Sequence, residues 1–157
     1  MKKQRRTLVI GLGNPLIGDD SFGTRVIERL RQFPSELPPR TTLANCHTDL
    51  LNQIERFPEY DFVVIVDAML DPEGKLGPPG RIVVLDEELL LSAPETSPSV
   101  HQVSPLLDLK LFRSLCPESQ TRITALCLCV DQIRSGSGYL TDGLVAEAAM
   151  ALTTLID

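Results

Sequence analysis

Residues 7–23 read Thr7-Leu8-Val9-Ile10-Gly11-Leu12-Gly13-Asn14-Pro15-Leu16-Ile17-Gly18-Asp19-Asp20-Ser21-Phe22-Gly23. The run from Thr7 to Leu12 is apolar and β-branched. It is closed by Gly13-Asn14-Pro15, so the stretch predicts a short buried strand and a turn. From Asp20 the spacing changes. Phe22, Val26, Leu30 and Phe33 fall on one face of a helix. Asp19, Asp20 and Ser21 are suitable start signals for that helix, and Pro34 with the Pro38-Pro39 pair stops it. Strand, Gly-rich turn and helix in this order open an α/β layered fold.

The rest of the chain continues that alternation. Thr41 to Cys46 reads as a second strand and Asp49 to Phe57 as a short helix. Phe62-Val63-Val64-Ile65-Val66 is continuously apolar, the mark of a strand buried on both faces, and Asp67 is expected to terminate it. Leu70 to Gly80 is rich in Gly and Pro and too poor in helix formers for a crossover helix. Arg81 to Leu85 is therefore expected to run antiparallel beside the others. Asp86 to Val103 is a long connection, and long connections in compact domains are often functional. A helix over Pro105 to Leu115, a strand over Arg122 to Val130 and a last helix over Thr141 to Ile156 complete the order. The apolar stripe of the last helix is Leu144, Val145, Ala148 and Leu152. A mostly parallel twisted sheet with helices on both faces is expected, in one domain over 1–157.

Composition narrows the function classes. Hydrophobic residues make up 43%, charged residues 23%, and the net charge is −6, values of a folded soluble chain. An acidic balance argues against nucleic acid as a partner, because a phosphate-binding surface needs clustered Lys and Arg. The basic run Lys2 to Arg6 reads as a solvated tail. The apolar stretch after it is too short for an export signal, and no stretch suffices to cross a bilayer. Cys46, Cys116, Cys127 and Cys129 form no CxxC pair, so reduced thiols and a cytoplasmic location are expected.

Ligands of open α/β sheets bind outside the carboxyl ends of the strands. Asp20 follows the first strand by the Gly-rich turn, and Asp67 ends the central one. Parallel strands put both on the same edge, which His101 can reach from the long connection. Two carboxylates and an imidazole make a three-ligand open site suited to a borderline divalent metal. Each residue also has a plainer reading. Asp19 or Asp20 can cap the helix, Asp67 can simply end a strand, and a lone loop histidine is commonly a surface residue. Against this, a charge after five buried apolar residues is costly unless it is paired, ligated or faces a cleft. Gly11-Leu12-Gly13 opens a dinucleotide fingerprint, but Leu16 stands at the third glycine position. GxSxG and HExxH are absent. Cys127 and Cys129 lie two apart on a strand and read as core packing. His47 approaches the crevice but stays outside the core site.

These motifs carry a resemblance. The stretch from Gly11 to Gly23 resembles the signature GxGNxLxxDxxxG of the maturation endopeptidases of nickel–iron hydrogenases. Val66-Asp67-Ala68 is similar to that family's second acidic motif, and Ser99-Val100-His101-Gln102 to its His-Gln segment. Gly136-Ser137-Gly138-Tyr139-Leu140-Thr141 is similar to its closing turn before a final helix. Order and spacing agree over nearly the whole chain. Ser21 departs from the Gly of many members, position 20 carries Asp where some have Glu, and the segment from Cys127 to Asp131 lacks an expected proline.

The resemblance implies a three-layer, phosphorylase/hydrolase-like sandwich and an aspartic or metal-dependent endopeptidase. Its substrate would be the large-subunit precursor of a nickel–iron hydrogenase, trimmed at the C-terminus. Asp20, Asp67 and His101 would be both catalytic residues and nickel ligands, with the nickel supplied by the substrate. No organic cofactor, nucleic-acid partner or membrane is implied, and a monomer is expected. Two other readings compete. Peptidyl-tRNA hydrolase shares a GLGNP start, but Asp19 and Asp20 stand where its histidine should follow. A non-catalytic metal-sensing chaperone is the other, since no conventional nucleophile is visible.

Overall fold

A computed structural model of the chain describes residues 4–47, 49–92, 105–132 and 138–157. Five strands form one sheet: β1 (Thr7–Leu12), β2 (Thr41–His47), β3 (Phe62–Leu70), β4 (Ile82–Asp86) and β5 (Arg122–Val130). The spatial order is β2-β1-β3-β5-β4, with every neighbouring pair parallel except β4 against β5. The helices are α1 (Phe22–Gln32), α2 (Leu51–Ile54), α3 (Glu87–Ser92), α4 (Pro105–Leu115) and α5 (Asp142–Ile156). Among the described residues, no helix is long and apolar enough to cross a membrane.

Strand periodicity sorts the core into two layers. Val9, Val64, Val66, Leu126 and Leu128 point to one face, where they pack on Phe22, Val26 and Leu30 of α1 and Ala148 and Leu152 of α5. Leu8, Ile10, Val63, Ile65 and Ile123 point to the other, against Ile54 of α2, Leu90 of α3, and Leu109 and Phe112 of α4. Phe57 and Phe112 meet edge to face there, ring centroids 5.2 Å apart. Both faces of β3 are therefore covered, which is why its sequence shows no polar alternation.

Four local expectations need correction. Asp67 does not end its strand. β1 stops pairing with β3 at Gly11 and Val66, while β5 continues alongside from Asp67–Cys127 to Leu70–Val130. A strand persists wherever one neighbour still satisfies its backbone groups. Phe33 is not on the buried face of α1. Pro34 disfavours helical geometry in the residue before it, so Phe33 turns out of the helix, 39% exposed, and the Arg29 guanidinium lies over its ring. The helix expected from Asp49 to Phe57 shrinks to Leu51–Ile54, with a separate 3-10 turn at Phe57–Glu59. Finally, α3 occupies the start of the long connection; Asp86 Oδ1 caps it by accepting from the Leu89 N–H at 2.8 Å.

Candidate functional site

The chain runs from β1 outward through α1 to β2, then returns to the opposite side of β1 to lay down β3. The strand order therefore reverses between β1 and β3, with α1 on one face of the sheet and α2 on the other. Such a reversal leaves a crevice at the carboxyl ends of the two strands, the usual ligand position of an open α/β sheet. Asp20 follows β1 and Asp67 lies on β3, so both belong to this crevice.

Close packing places the first of them. Gly23 opens α1 directly above the strand ends. A β-carbon on it would stand 2.2 Å from the Leu12 carbonyl oxygen and 2.3 Å from that of Val66. The 3-10 turn Asp19–Ser21 consequently packs against β3. Gly13, at φ +129, lets the chain pass under this turn; a β-carbon there would stand 1.8 Å from the Asp20 carbonyl oxygen. Within the turn, the Asn14 side chain accepts from the Leu16 N–H at 2.9 Å, and the Ser21 hydroxyl donates to the Gly18 carbonyl at 2.6 Å. These local bonds stiffen a loop that leaves Leu16 at its tip, 88% exposed.

Neither aspartate is a helix cap. Ser21 holds the N-cap position of α1 and no side chain caps it. Asp20, 1% exposed, accepts the Asn14 backbone N–H on Oδ2 at 3.0 Å. Asp19, fully buried, accepts the Leu140 N–H on Oδ1 at 2.8 Å. Two adjacent carboxylates thus have two separate partners.

Asp67 is 7% exposed. By strand alternation it shares a face with Val63 and Ile65, and it sits abreast of Cys127 on β5. It is the first residue of β3 beyond the β1 pairing. Among the described residues, no three His, Cys, Asp or Glu side chains group closely enough to hold a metal ion. His101 lies outside the described residues, as do Gly136 and Ser137 of the closing motif. The structure thus puts Asp20 in the turn after β1 and Asp67 on the adjacent β3, while His101 falls outside the described residues.

The surroundings hold no activated thiol. Burial pushes the Cys127 thiol well above its ordinary value, with the neighbouring Asp67 charge adding to the shift. Burial likewise raises Cys129 and Cys46 to about 11. All four cysteines are free thiols. Cys127 and Cys129 are buried in the core, as their spacing suggests. His47 is exposed at the end of β2 with φ +52, and its carbonyl accepts the Gly13 N–H at 2.7 Å. It supports the first turn through its backbone. One carboxyl was not singled out from sequence: Asp108 in the first turn of α4, held above the usual carboxylate range by burial and then by the Asp49 charge. A single Asp in a helical first turn is too common a pattern to mark it.

No family profile and no curated protein matches the chain. Solved structures do. The nickel–iron hydrogenase maturation protease HybD from Thermococcus kodakarensis superposes with a TM-score of 0.73 at 22% identity, over 97% of this chain and 99% of that one. The hydrogenase maturating endopeptidase HybD from E. coli gives 0.74 at 22% identity, over 96% and 91%. The maturation protease HycI from Thermococcus kodakarensis gives 0.67 at 22%, over 99% and 92%. The chain therefore has the three-layer fold of these hydrogenase maturation proteases over nearly its whole length.

Proposed function

We propose that this protein is a cytoplasmic endopeptidase that removes a C-terminal peptide from the nickel-loaded large-subunit precursor of a nickel–iron hydrogenase. The observation that carries this reading is the pair of buried carboxylates, Asp20 in the turn after β1 and Asp67 on the neighbouring β3, at the point of strand reversal. The matching fold, named in its solved examples as that of maturation endopeptidases, supports it. Nickel enters as part of the substrate.

In this mechanism Asp20, Asp67 and His101 are the protein's ligands to the nickel that the precursor already holds. The carboxylates present oxygen donors from a stiff turn and from the sheet, and the imidazole adds nitrogen. Three ligands leave coordination positions open, so a metal held by substrate thiolates can be shared across the interface. Held by these residues, the substrate's nickel would dock the precursor and would supply Lewis-acid polarisation at the scissile carbonyl or a bound water. A site completed only by its substrate also spares bystander proteins, which suits a protease with no activated thiol of its own in the described crevice. The protein acts as a monomer and needs no organic cofactor.

The test is the intact mass of a candidate precursor before and after incubation, with and without nickel loading. Loss of a C-terminal peptide only from the loaded form is expected. Equal cleavage of loaded and nickel-free precursor would overturn the nickel-sensing role and favour Asp20 and Asp67 as a directly catalytic pair. No cleavage of either form would overturn the peptidase reading.

A further inference from the structure

The structure assigns to Asp19 the role of a positioning residue for Asp20: its buried carboxylate fastens the segment Gly138–Leu140 across the β1–α1 turn and so fixes where Asp20 presents its oxygens. This rests on reading Asp20 as a functional carboxylate.

Three observations carry it. Asp19 is fully buried, and a buried charge is tolerated only where hydrogen bonds replace its water. The bond it accepts comes from Leu140, 121 residues away, at 2.8 Å. Its Oδ2 has no hydrogen-bond partner among the described residues. Next, Gly138 is moulded onto the carboxyl group: a β-carbon there would stand 2.2 Å from Oδ2 and 2.4 Å from the carboxyl carbon. Last, the segment is tied elsewhere too. The Tyr139 hydroxyl donates to Asp131 Oδ1 at 3.2 Å, at the end of β5. The Tyr139 ring lies over Gly80 of the β3–β4 loop. Thr141 caps α5 by accepting the Leu144 N–H at 3.1 Å.

Asp19 is therefore the joint between the loop that leads into α5 and the turn that carries Asp20. The two aspartates share a peptide unit, and Asp20 in turn holds the Asn14 N–H. Any shift of the Asp19 carboxylate moves the Asp20 backbone and loosens that second bond. A helix-capping role would explain none of this, since the cap position belongs to Ser21.

The experiment combines amide hydrogen exchange with cleavage kinetics on the full chain. In Asp19→Ala, exchange at both Leu140 and Asn14 should speed up about tenfold, the loss of one hydrogen bond to a charged group. Its kcat on nickel-loaded precursor should fall about a hundredfold while KM changes little, because a misplaced catalytic group acts on the chemical step. Asp19→Asn keeps an acceptor for Leu140 and should stay close to wild type in both readouts. Gly138→Ala, which forces the carboxylate aside from the opposite direction, should reproduce Asp19→Ala. Unchanged exchange at Asn14 in Asp19→Ala would overturn the assignment. So would Asp19→Asn as impaired as Asp19→Ala, or Gly138→Ala with wild-type exchange and kcat. Should Asp19→Ala not fold, the other two variants decide alone. If the wild type cleaves no precursor, the exchange readout still decides the coupling while the proposed activity fails separately.

Discussion

Gly23 rests on the carbonyl oxygen of Val66, the residue immediately before Asp67 on β3. This contact presses the start of α1 onto the sheet where the two carboxylates emerge. The three nearest atoms that a β-carbon would meet are all backbone, two carbonyl oxygens at 2.2 and 2.3 Å and the Leu12 nitrogen at 2.7 Å, and none can rotate away. Gly23→Ala should therefore lower stability by about 3 kcal/mol or more, at or above the upper end of the usual overpacking penalty. Thermal unfolding checks it. A melting temperature within a degree or two of wild type would show that the helix can lift at little cost.

The carboxylates should be separable from the fold. In Asp20→Asn the amide oxygen can still accept the Asn14 N–H, and Asp67→Asn keeps the shape of its side chain. Both variants should melt near wild type yet lose precursor processing, because an amide keeps the shape but is a much weaker, neutral metal donor than a carboxylate. His101→Ala should behave likewise. His47→Ala should process normally, since His47 contributes a backbone carbonyl. Cys127→Ala should lose about 1 kcal/mol of packing and retain processing. Cleavage at wild-type rate by Asp67→Asn would remove Asp67 from the site.

Asp108 makes stability depend on pH. Burial and the Asp49 charge raise its folded-state pKa above the unfolded value. The folded state therefore binds its proton more tightly than the unfolded state does. The contribution is fully present below the ordinary carboxylate pKa of about 3.9 and is lost as pH rises through the raised folded value. Asp108→Asn, neutral at every pH, should melt higher than wild type at pH 7. The difference should shrink as pH falls toward 4. An Asn variant less stable than wild type at neutral pH would contradict this sign.

The thiols should report the same burial. Cys46, Cys127 and Cys129 are both buried and raised in pKa, whereas Cys116 is partly exposed. At pH 8 a disulfide reagent should label one thiol of the four quickly, mapping to Cys116 by mass, and the remainder only on unfolding. Rapid labelling of Cys127 would reopen a thiol nucleophile beside Asp67.

Sequence alone marked the strands at Thr7–Leu12 and Arg122–Val130, the helix at Pro105–Leu115 and the polarity of the edge strand β4. These readings rest on local physics: apolar runs, proline stops and a Gly/Pro segment too poor in helix formers for a crossover helix. It also drew attention to Asp20 and Asp67, because a carboxylate after a buried run needs a reason. Some of its errors turned on partners that local sequence does not show. Asp67 was expected to end β3, yet the strand continues on hydrogen bonds from β5. Asp19 and Asp20 both resembled caps, since capping is the only local partner that sequence offers a first-turn acid. Their actual partners are Leu140, 121 residues away, and the turn itself. Periodicity gives the faces of each element but not the order of strands, and the reversal between β1 and β3 that creates the crevice belongs to the sheet as a whole. Residue type was thus legible from the chain. That β1 and β3, which carry the two acids toward one edge, lie side by side was decided only by packing, because a strand end has no neighbour until the sheet assembles.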